Sequence, residues 1–116
     1  VILIYPIPEV GINVAYALFK NMPVRYIKDP KVYLNKNRIT TSFDVYKTRS
    51  KESFDILNEI KNNNVQRVFP HKLFCNTSIK NRCITHNEKD IFYYDDDHLS
   101  TKGAEMITDL IMKKLN

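Results

Sequence analysis

An aspartate and a histidine three positions apart, near the end of the chain, have the spacing of a catalytic pair. They are Asp95 and His98, in an acidic run just before the last predicted helix. A histidine that acts as a general base needs a neighbouring carboxylate, which fixes the tautomer of the ring and stabilises the imidazolium. On a tight turn, the Asp95 side chain can fold back onto the imidazole. We therefore expect His98 to be a general base and Asp95 to be the acid that orients it.

Other interpretations of this stretch stay open from the residues alone. Consecutive aspartates before a helix also suit a solvated turn that is favourably placed for the helix dipole, and we expect this for Asp96 and Asp97. His98 could instead be a structural histidine packed against the last helix. Aspartates with histidines can also bind a divalent cation, but no ligand spacing repeats and we predict no metal site. His71 and His86 are predicted to be loop residues and not ligands.

A strand, a helix and a second strand are predicted to support this site. Residues 1–7 form a continuous apolar run ending at prolines, which is typical of a central strand in a parallel sheet. Residues 42–62 have the apolar period of the main helix, and residues 65–69 predict a second strand. A last helix is predicted over residues 101–115. This order indicates a βαβ crossover followed by a helix, and hence an α/β domain with a parallel sheet.

The remaining segments give weaker patterns. Residues 13–20 predict a short helix, and the rest of the stretch up to residue 41 is expected to be loop across the sheet end. Residues 71–90 are expected to be irregular. The asparagine run Asn62–Asn64 is predicted to end the main helix in the left-handed conformation. The core-facing stripe of that helix is predicted to be Phe43, Tyr46, Ser50, Phe54, Leu57 and Ile60.

Composition excludes some classes of function. The chain has only two glycines, so it holds no glycine-rich phosphate loop, and we predict no cofactor. The net charge is +5, but the basic residues are scattered singly along the chain. A nucleic-acid-binding protein concentrates its basic residues on one recognition element. We therefore expect a solvated basic surface and no nucleic-acid partner.

Two cysteines, Cys75 and Cys83, lie eight positions apart. This spacing suits a disulfide that closes a short loop, and two unrelated buried thiols are the alternative. The spacing differs from that of a zinc knuckle or a redox motif. A disulfide would indicate an oxidising compartment.

The end of the chain resembles the SGNH superfamily of serine esterases and acyltransferases, whose last motif is Asp-x-x-His. The similarity extends over the string Tyr94-Asp95-Asp96-Asp97-His98-Leu99-Ser100-x-x-Gly103-Ala104. This string is similar to the C-terminal SGNH domain fused to membrane acyltransferases of the acyltransferase-three type. Those domains often carry a cysteine pair upstream of the motif, which Cys75 and Cys83 match. The prolines after the first strand and the helix around residues 46–49 fit the same pattern.

The resemblance implies a fold and an activity. The fold would be the C-terminal part of a three-layer α/β/α, flavodoxin-like SGNH domain, with residues 1–116 belonging to one domain. Asp95 and His98 would serve a serine esterase or O-acyltransferase acting on acyl groups, such as acetyl, of bacterial cell-surface carbohydrate. Lipopolysaccharide or peptidoglycan would be modified at the periplasmic or extracytoplasmic face of the membrane. The partner would be an N-terminal membrane acyltransferase domain of the same polypeptide.

One departure from the family pattern affects the expected activity. The chain contains neither a Gly-Asp-Ser block for the nucleophile nor a Gly-x-Asn-Asp block for the oxyanion hole. We therefore expect the nucleophile-bearing part to precede this chain, and the chain alone to be inactive. Two alternatives remain. The chain could be a non-catalytic glycan-binding or assembly module with the same fold, or it could form a homo-oligomer through an exposed sheet edge.

Overall fold

Helices and four short strands alternate along the chain. The computed structural model describes residues 1–116, the whole sequence. In chain order the elements are β1 (Ile2–Ile4), α1 (Val14–Phe19), a 3-10 helix (Val24–Tyr26), α2 (Pro30–Lys36), β2 (Thr40–Ser42), α3 (Phe43–Glu59), β3 (Gln66–Val68), α4 (His71–Phe74), β4 (Arg82–Ile84) and α5 (Thr101–Leu115). The mixed α/β class is confirmed.

The predicted βαβ unit is formed by β1, α3 and β3. The two strands are parallel, with Ile2 opposite Gln66 and Ile4 opposite Val68. The Tyr5 N–H continues the ladder by donating to the Val68 carbonyl over 3.0 Å. A central strand over residues 1–7 was expected, but β1 has only three residues. It is hydrogen-bonded to one neighbouring strand, β3, and not to two. Consequently Ile4 remains 47% exposed.

A second, antiparallel pair lies where the sequence predicted only irregular chain. β2 pairs with β4, and the Arg82 guanidinium donates to the hydroxyl and the carbonyl of Thr40, each over 3.0 Å. The expectation of loop up to residue 41 is wrong, because that stretch also contains α2. Pro30 is the first residue of α2, a position at which the fixed φ of proline favours a helix instead of breaking it.

The main helix is confirmed, but its end differs from the prediction. The Ser42 hydroxyl caps α3 by accepting the Val45 N–H over 3.2 Å. The helix ends at Glu59, so Ile60 lies beyond it and is 42% exposed. The asparagines at 62–64 do not adopt the left-handed conformation. Instead the Arg67 guanidinium from β3 donates to the Leu57 carbonyl in the last turn of α3, over 2.8 Å, and to the Ile60 carbonyl just beyond the helix.

Two groups of side chains fill the interior. One surrounds the Tyr5 ring, which packs against Phe54 and Phe69 with ring centroids 4.7 and 4.6 Å away. The other is a cluster of buried side chains from α1, α2, α4, β4, α5 and the adjoining loops: Val14, Leu18, Leu34, Phe74, Cys75, Cys83, Phe92, Tyr93 and Ile107. The first group packs α3 against the parallel strands. The second packs α1 and α2 against residues of the C-terminal part of the chain. None of the helices is both long and apolar enough to cross a membrane.

Cys75 and Cys83 are joined by a disulfide within the second cluster. We predict that replacing both with serine lowers the free energy of unfolding by about 2–3 kcal/mol, because the bridge restricts a short loop of the unfolded chain. Urea denaturation monitored by circular dichroism would measure the loss. A reducing agent should destabilise the native protein and leave the double variant unchanged. Equal stability of the two proteins under oxidising conditions would contradict the prediction.

Candidate active site

The turn that carries His98 is built around one carboxylate oxygen. Asp95 Oδ1 accepts the backbone N–H of His98 over 2.7 Å and that of Asp97 over 3.0 Å. A short acidic side chain stabilises such a turn because its oxygen reaches the N–H groups two and three residues on. These hydrogen bonds hold the pKa of Asp95 below its usual range. Asp95 is therefore ionised, and the backbone hydrogen bonds fix its carboxylate independently of the His98 ring.

The imidazole of His98 faces the same carboxylate. Its Nδ1 lies 2.9 Å from Asp95 Oδ2 and 3.1 Å from Oδ1. A proton on Nδ1 donates to this carboxylate, which leaves Nε2 as the basic nitrogen. The hydrogen bond and the charge of Asp95 raise the pKa of His98 above its ordinary value of 6.5. The side chain is 74% exposed, so the ring is oriented but remains accessible.

A second carboxylate reaches the same nitrogen. Asp97 Oδ1 lies 2.9 Å from His98 Nδ1, whereas the sequence indicated only a solvated turn residue. Loss of hydration is the main cause that raises the pKa of the Asp97 carboxyl. The ligand atoms of Asp95, Asp97 and His98 lie within 4.8 Å of one another, so these are the residues that could hold a divalent cation. Exposed acidic groups commonly have such geometry without an ion.

Backbone hydrogen bonds fasten this turn to the start of α5. The Tyr94 N–H donates to the His98 carbonyl over 2.7 Å, closing the turn. Ser100 caps α5 by accepting the Gly103 N–H, and its own hydroxyl donates to the Ile91 carbonyl over 2.6 Å. The predicted boundaries of this helix are confirmed, and Ser100 is its N-cap. The cap therefore fixes the helix and the His98 turn relative to each other.

The segment that follows β1 lies against the same turn. The N–H groups of Val10 and Gly11 both donate to the Asp96 carbonyl, over 3.0 and 2.9 Å. Two tyrosine hydroxyls hold the segment from the core side. Tyr46 donates to the Pro6 carbonyl over 2.6 Å and Tyr93 to the Pro8 carbonyl over 2.7 Å. The chain leaving the carboxyl end of β1 is thus joined to the His98 turn.

A cavity of about 380 Å³ opens between this segment and the start of α3. Its wall combines apolar side chains with Glu9, Arg49 and the hydroxyl-bearing Thr41 and Ser42; the other members are Ile7, Val10, Val45 and Tyr46. A larger and mainly polar cavity, about 570 Å³, lies at the end of α3 and the start of β3. Ligands of parallel α/β sheets bind beyond the carboxyl ends of the strands. The smaller cavity is therefore the candidate ligand site.

The other two histidines have structural environments. His86 is 1% exposed; its Nε2 accepts the Ile39 N–H over 3.1 Å, and its Nδ1 lies 2.9 Å from the Asn87 carbonyl. Burial lowers the pKa of His86, so the ring is neutral and can donate from Nδ1. His71 is the first residue of α4, not a loop residue as expected. It packs among aromatic rings, and burial lowers its pKa as well.

The five serines lie apart from the polar contacts of His98. They are Ser42, Ser50, Ser53, Ser78 and Ser100. Ser42 and Ser100 cap helices, and Ser50 is buried within α3. The hydrogen bonds and ion pairs of the His98 ring are made with Asp95 and Asp97. The site formed by this chain is thus a histidine with its carboxylates.

The chain thus combines a parallel strand pair and its crossover helix with a histidine–carboxylate turn that is hydrogen-bonded to the segment after β1. Residues 1–113 match the family model described as the SGNH domain (fused to AT3 domains), and the chain therefore belongs to this family. The recognition made from the last motif is confirmed. The family groups the chain with acyltransferase-like and esterase-like modules. No curated protein and no solved structure matches the chain.

Gly103 allows the first turn of α5 to approach the Phe92 backbone. A Cβ at this position would overlap the Phe92 carbonyl oxygen and lie 3.0 Å from a Leu99 methyl group. We predict that Gly103→Ala lowers the free energy of unfolding by about 1–3 kcal/mol, because backbone must move to relieve the overlap. Thermal denaturation of the variant would measure this. The neighbouring Lys102→Ala is the matched control, and an equal effect of both changes would contradict the prediction.

Proposed function

We propose that this chain supplies the acid and the base of an SGNH-type serine esterase or O-acyltransferase. His98 is the general base and Asp95 is the acid that orients it. The observation that carries the proposal is the 2.9 Å contact between His98 Nδ1 and Asp95 Oδ2, made by a carboxylate that two backbone N–H groups already hold. A fixed carboxylate on Nδ1 is the arrangement that keeps Nε2 available to accept a proton.

In the proposed reaction, His98 Nε2 accepts a proton and returns it once in each of two half-reactions. It first takes the hydroxyl proton of a serine as the serine oxygen attacks the carbonyl carbon of an acyl donor. The imidazolium then returns this proton to the leaving group, and an acyl-serine ester remains. In the second half Nε2 takes a proton from water or a sugar hydroxyl as its oxygen attacks the ester carbonyl carbon; the bond to the serine oxygen then breaks, and the imidazolium returns the proton to that oxygen. Asp95 stabilises the imidazolium in both halves and stays ionised, consistent with its lowered pKa.

The serine is proposed to come from a part of the domain that precedes this chain. On this proposal residues 1–116 are the C-terminal portion of one SGNH domain. The support is the absence of a Gly-Asp-Ser block from the sequence together with the family match over residues 1–113. The chain alone is then expected to have little esterase activity.

The proposed substrate is an acylated, and specifically acetylated, carbohydrate of the bacterial cell surface. The family description supports an acyltransferase-three domain in the same polypeptide, and hence a membrane-associated protein. The disulfide supports an extracytoplasmic position, because such bridges persist in oxidising compartments. The cavity beside Val10 offers charged and hydroxyl groups on an apolar wall, which suits the mixed polar and apolar faces of a sugar.

The test of the base is His98→Ala in the full-length protein. We expect acyl transfer to fall by about three orders of magnitude or more, because the serine loses its proton acceptor. Mass spectrometry of the acylated glycan would measure the rate at matched expression levels. Lys102→Ala, an exposed change on the adjacent helix turn, serves as the control and should keep full activity. Unchanged transfer by the His98 variant would leave the non-catalytic glycan-binding module as the function.

The pH dependence of kcat/KM distinguishes the role of Asp95 from that of Asp97. Nε2 accepts a proton only when the ring is neutral, so kcat/KM should rise with pH through a His98 pKa held above 6.5. Asp95→Asn removes the largest cause of this raised pKa. We therefore expect the acidic limb to move to lower pH, together with a rate loss of about 10²–10⁴. Asp97→Asn is the matched variant and should change the rate by much less. A larger loss from Asp97→Asn would reverse the two assignments.

The same shifts predict how stability depends on pH. The lowered pKa of Asp95 stabilises the fold above the ordinary aspartate value of 3.8, and this contribution is lost as the pH falls through the lowered value. The raised pKa of His98 stabilises the fold below 6.5, and this contribution is lost as the pH rises through the raised value. The pair therefore stabilises most between these limits. Thermal melts of the wild type and of Asp95→Asn should differ most between pH 3.8 and 6.5 and converge as the pH falls through the lowered Asp95 pKa; above the raised His98 pKa a smaller difference should remain, because the Asp95 contribution is still present.

A further inference from the structure

A stretch beside the His98 turn exposes large apolar side chains. We call residues 12–28 the exposed lobe; it comprises α1, the 3-10 helix and the residues on either side. Val24 is 80% exposed, Tyr16 67% and Ile27 61%, and Ile12 and Phe19 are also exposed. Isolated apolar side chains are ordinary on a protein surface, but several within one short stretch indicate an interaction site.

Helix α1 has apolar residues on two opposite sides. Val14 and Leu18, four residues apart, are buried in the core. Tyr16 and Phe19 lie on the other side of the helix and are exposed, where a surface helix normally carries polar residues. Helix α1 is nevertheless fixed to the fold, since the Tyr33 hydroxyl of α2 donates to the Leu18 carbonyl over 2.5 Å. Tyr26 of the 3-10 helix packs against the same Tyr33, with ring centroids 5.4 Å apart. The exposed apolar face therefore belongs to an ordered part of the chain.

The charges of the lobe have one sign. Lys20, Arg25 and Lys28 are exposed, and residues 12–28 contain neither aspartate nor glutamate, although the exposed Asp29 follows directly. Two of these cations lie over aromatic rings of the lobe, Lys20 Nζ 5.5 Å from the Tyr16 centroid and the Arg25 guanidinium 4.8 Å from that of Tyr26. Apolar and aromatic side chains interleaved with cations are typical of segments that lie in the interface of an anionic bilayer.

We propose that the exposed lobe docks on the surface of an anionic lipid bilayer. Val24 and Ile27 enter the boundary between head groups and acyl chains, while Lys20, Arg25 and Lys28 contact lipid phosphates. The proposal does not depend on the catalytic roles of Asp95 and His98. The lobe begins directly after Gly11, whose N–H donates to the Asp96 carbonyl over 2.9 Å. Docking therefore holds the His98 turn near the bilayer surface, where a membrane-embedded partner could deliver an acyl group.

The test measures the depth of single residues in the full-length protein in lipid bilayers. Val24→Cys and Ile27→Cys are each labelled with a fluorescent thiol probe, in a background without other free thiols; Cys75 and Cys83 are protected by their disulfide. The vesicles contain phosphatidylglycerol and a lipid brominated near the head group, which quenches probes at the interface. Ile56→Cys on α3 is the matched control, because Ile56 is 58% exposed and lies outside the lobe.

We expect probes at positions 24 and 27 to be quenched several-fold more strongly than the probe at position 56. Adding Lys20→Glu, Arg25→Glu and Lys28→Glu to the Val24→Cys variant should abolish the excess quenching, and high salt should weaken it. Circular dichroism of each variant verifies that the fold persists. The proposal is overturned if positions 24 and 56 are quenched equally. It is also overturned if the probe at position 24 has the blue-shifted emission of a buried site without quenching, since another protein surface then covers the lobe.

Discussion

The carboxylate of Asp95 is the group on which the candidate site depends. One of its oxygens accepts two backbone N–H groups and so shapes the turn, while the carboxylate as a whole faces Nδ1 of His98. The same side chain therefore both shapes the turn and orients the imidazole of His98. Because the backbone bonds already keep the carboxylate ionised, orienting the imidazole requires no additional ordering of the Asp95 side chain. A carboxylate held only by the ring would lose this rigidity in an exposed site.

The surroundings of the turn explain how three-residue strands support a defined site. Hydrogen bonds join the turn to the segment after β1 through Asp96 and to α5 through Ser100. Buried Phe92 and Tyr93, just before the turn, pack against Phe74 next to the disulfide. The position of His98 therefore depends on packing in the second core cluster and on these hydrogen bonds. Tight contacts such as that of Gly103 with Phe92 transmit any movement of α5 to the turn.

Local sequence patterns were sufficient to predict the elements that are defined by residues close together in the chain. The apolar period predicted α3 and α5, whose core-facing residues recur every three or four positions. The motif also identified the family. α2 and the β2–β4 pair were missed. Helix α2 has only seven residues and begins at Pro30, and strands of three residues have too little alternation to be recognised.

The sequence by itself determined that Asp95 and His98 could meet, because a three-residue separation on a turn leaves the carboxylate few other partners. Only the tertiary structure decided what surrounds them. It brought the Asp97 carboxylate to the same ring nitrogen, joined the segment after β1 to the Asp96 carbonyl, and placed Arg67 at the end of α3. These contacts depend on the relative positions of backbone segments distant in sequence or on side-chain directions within the turn. Neither is encoded in residue spacing, since both follow from how the elements pack.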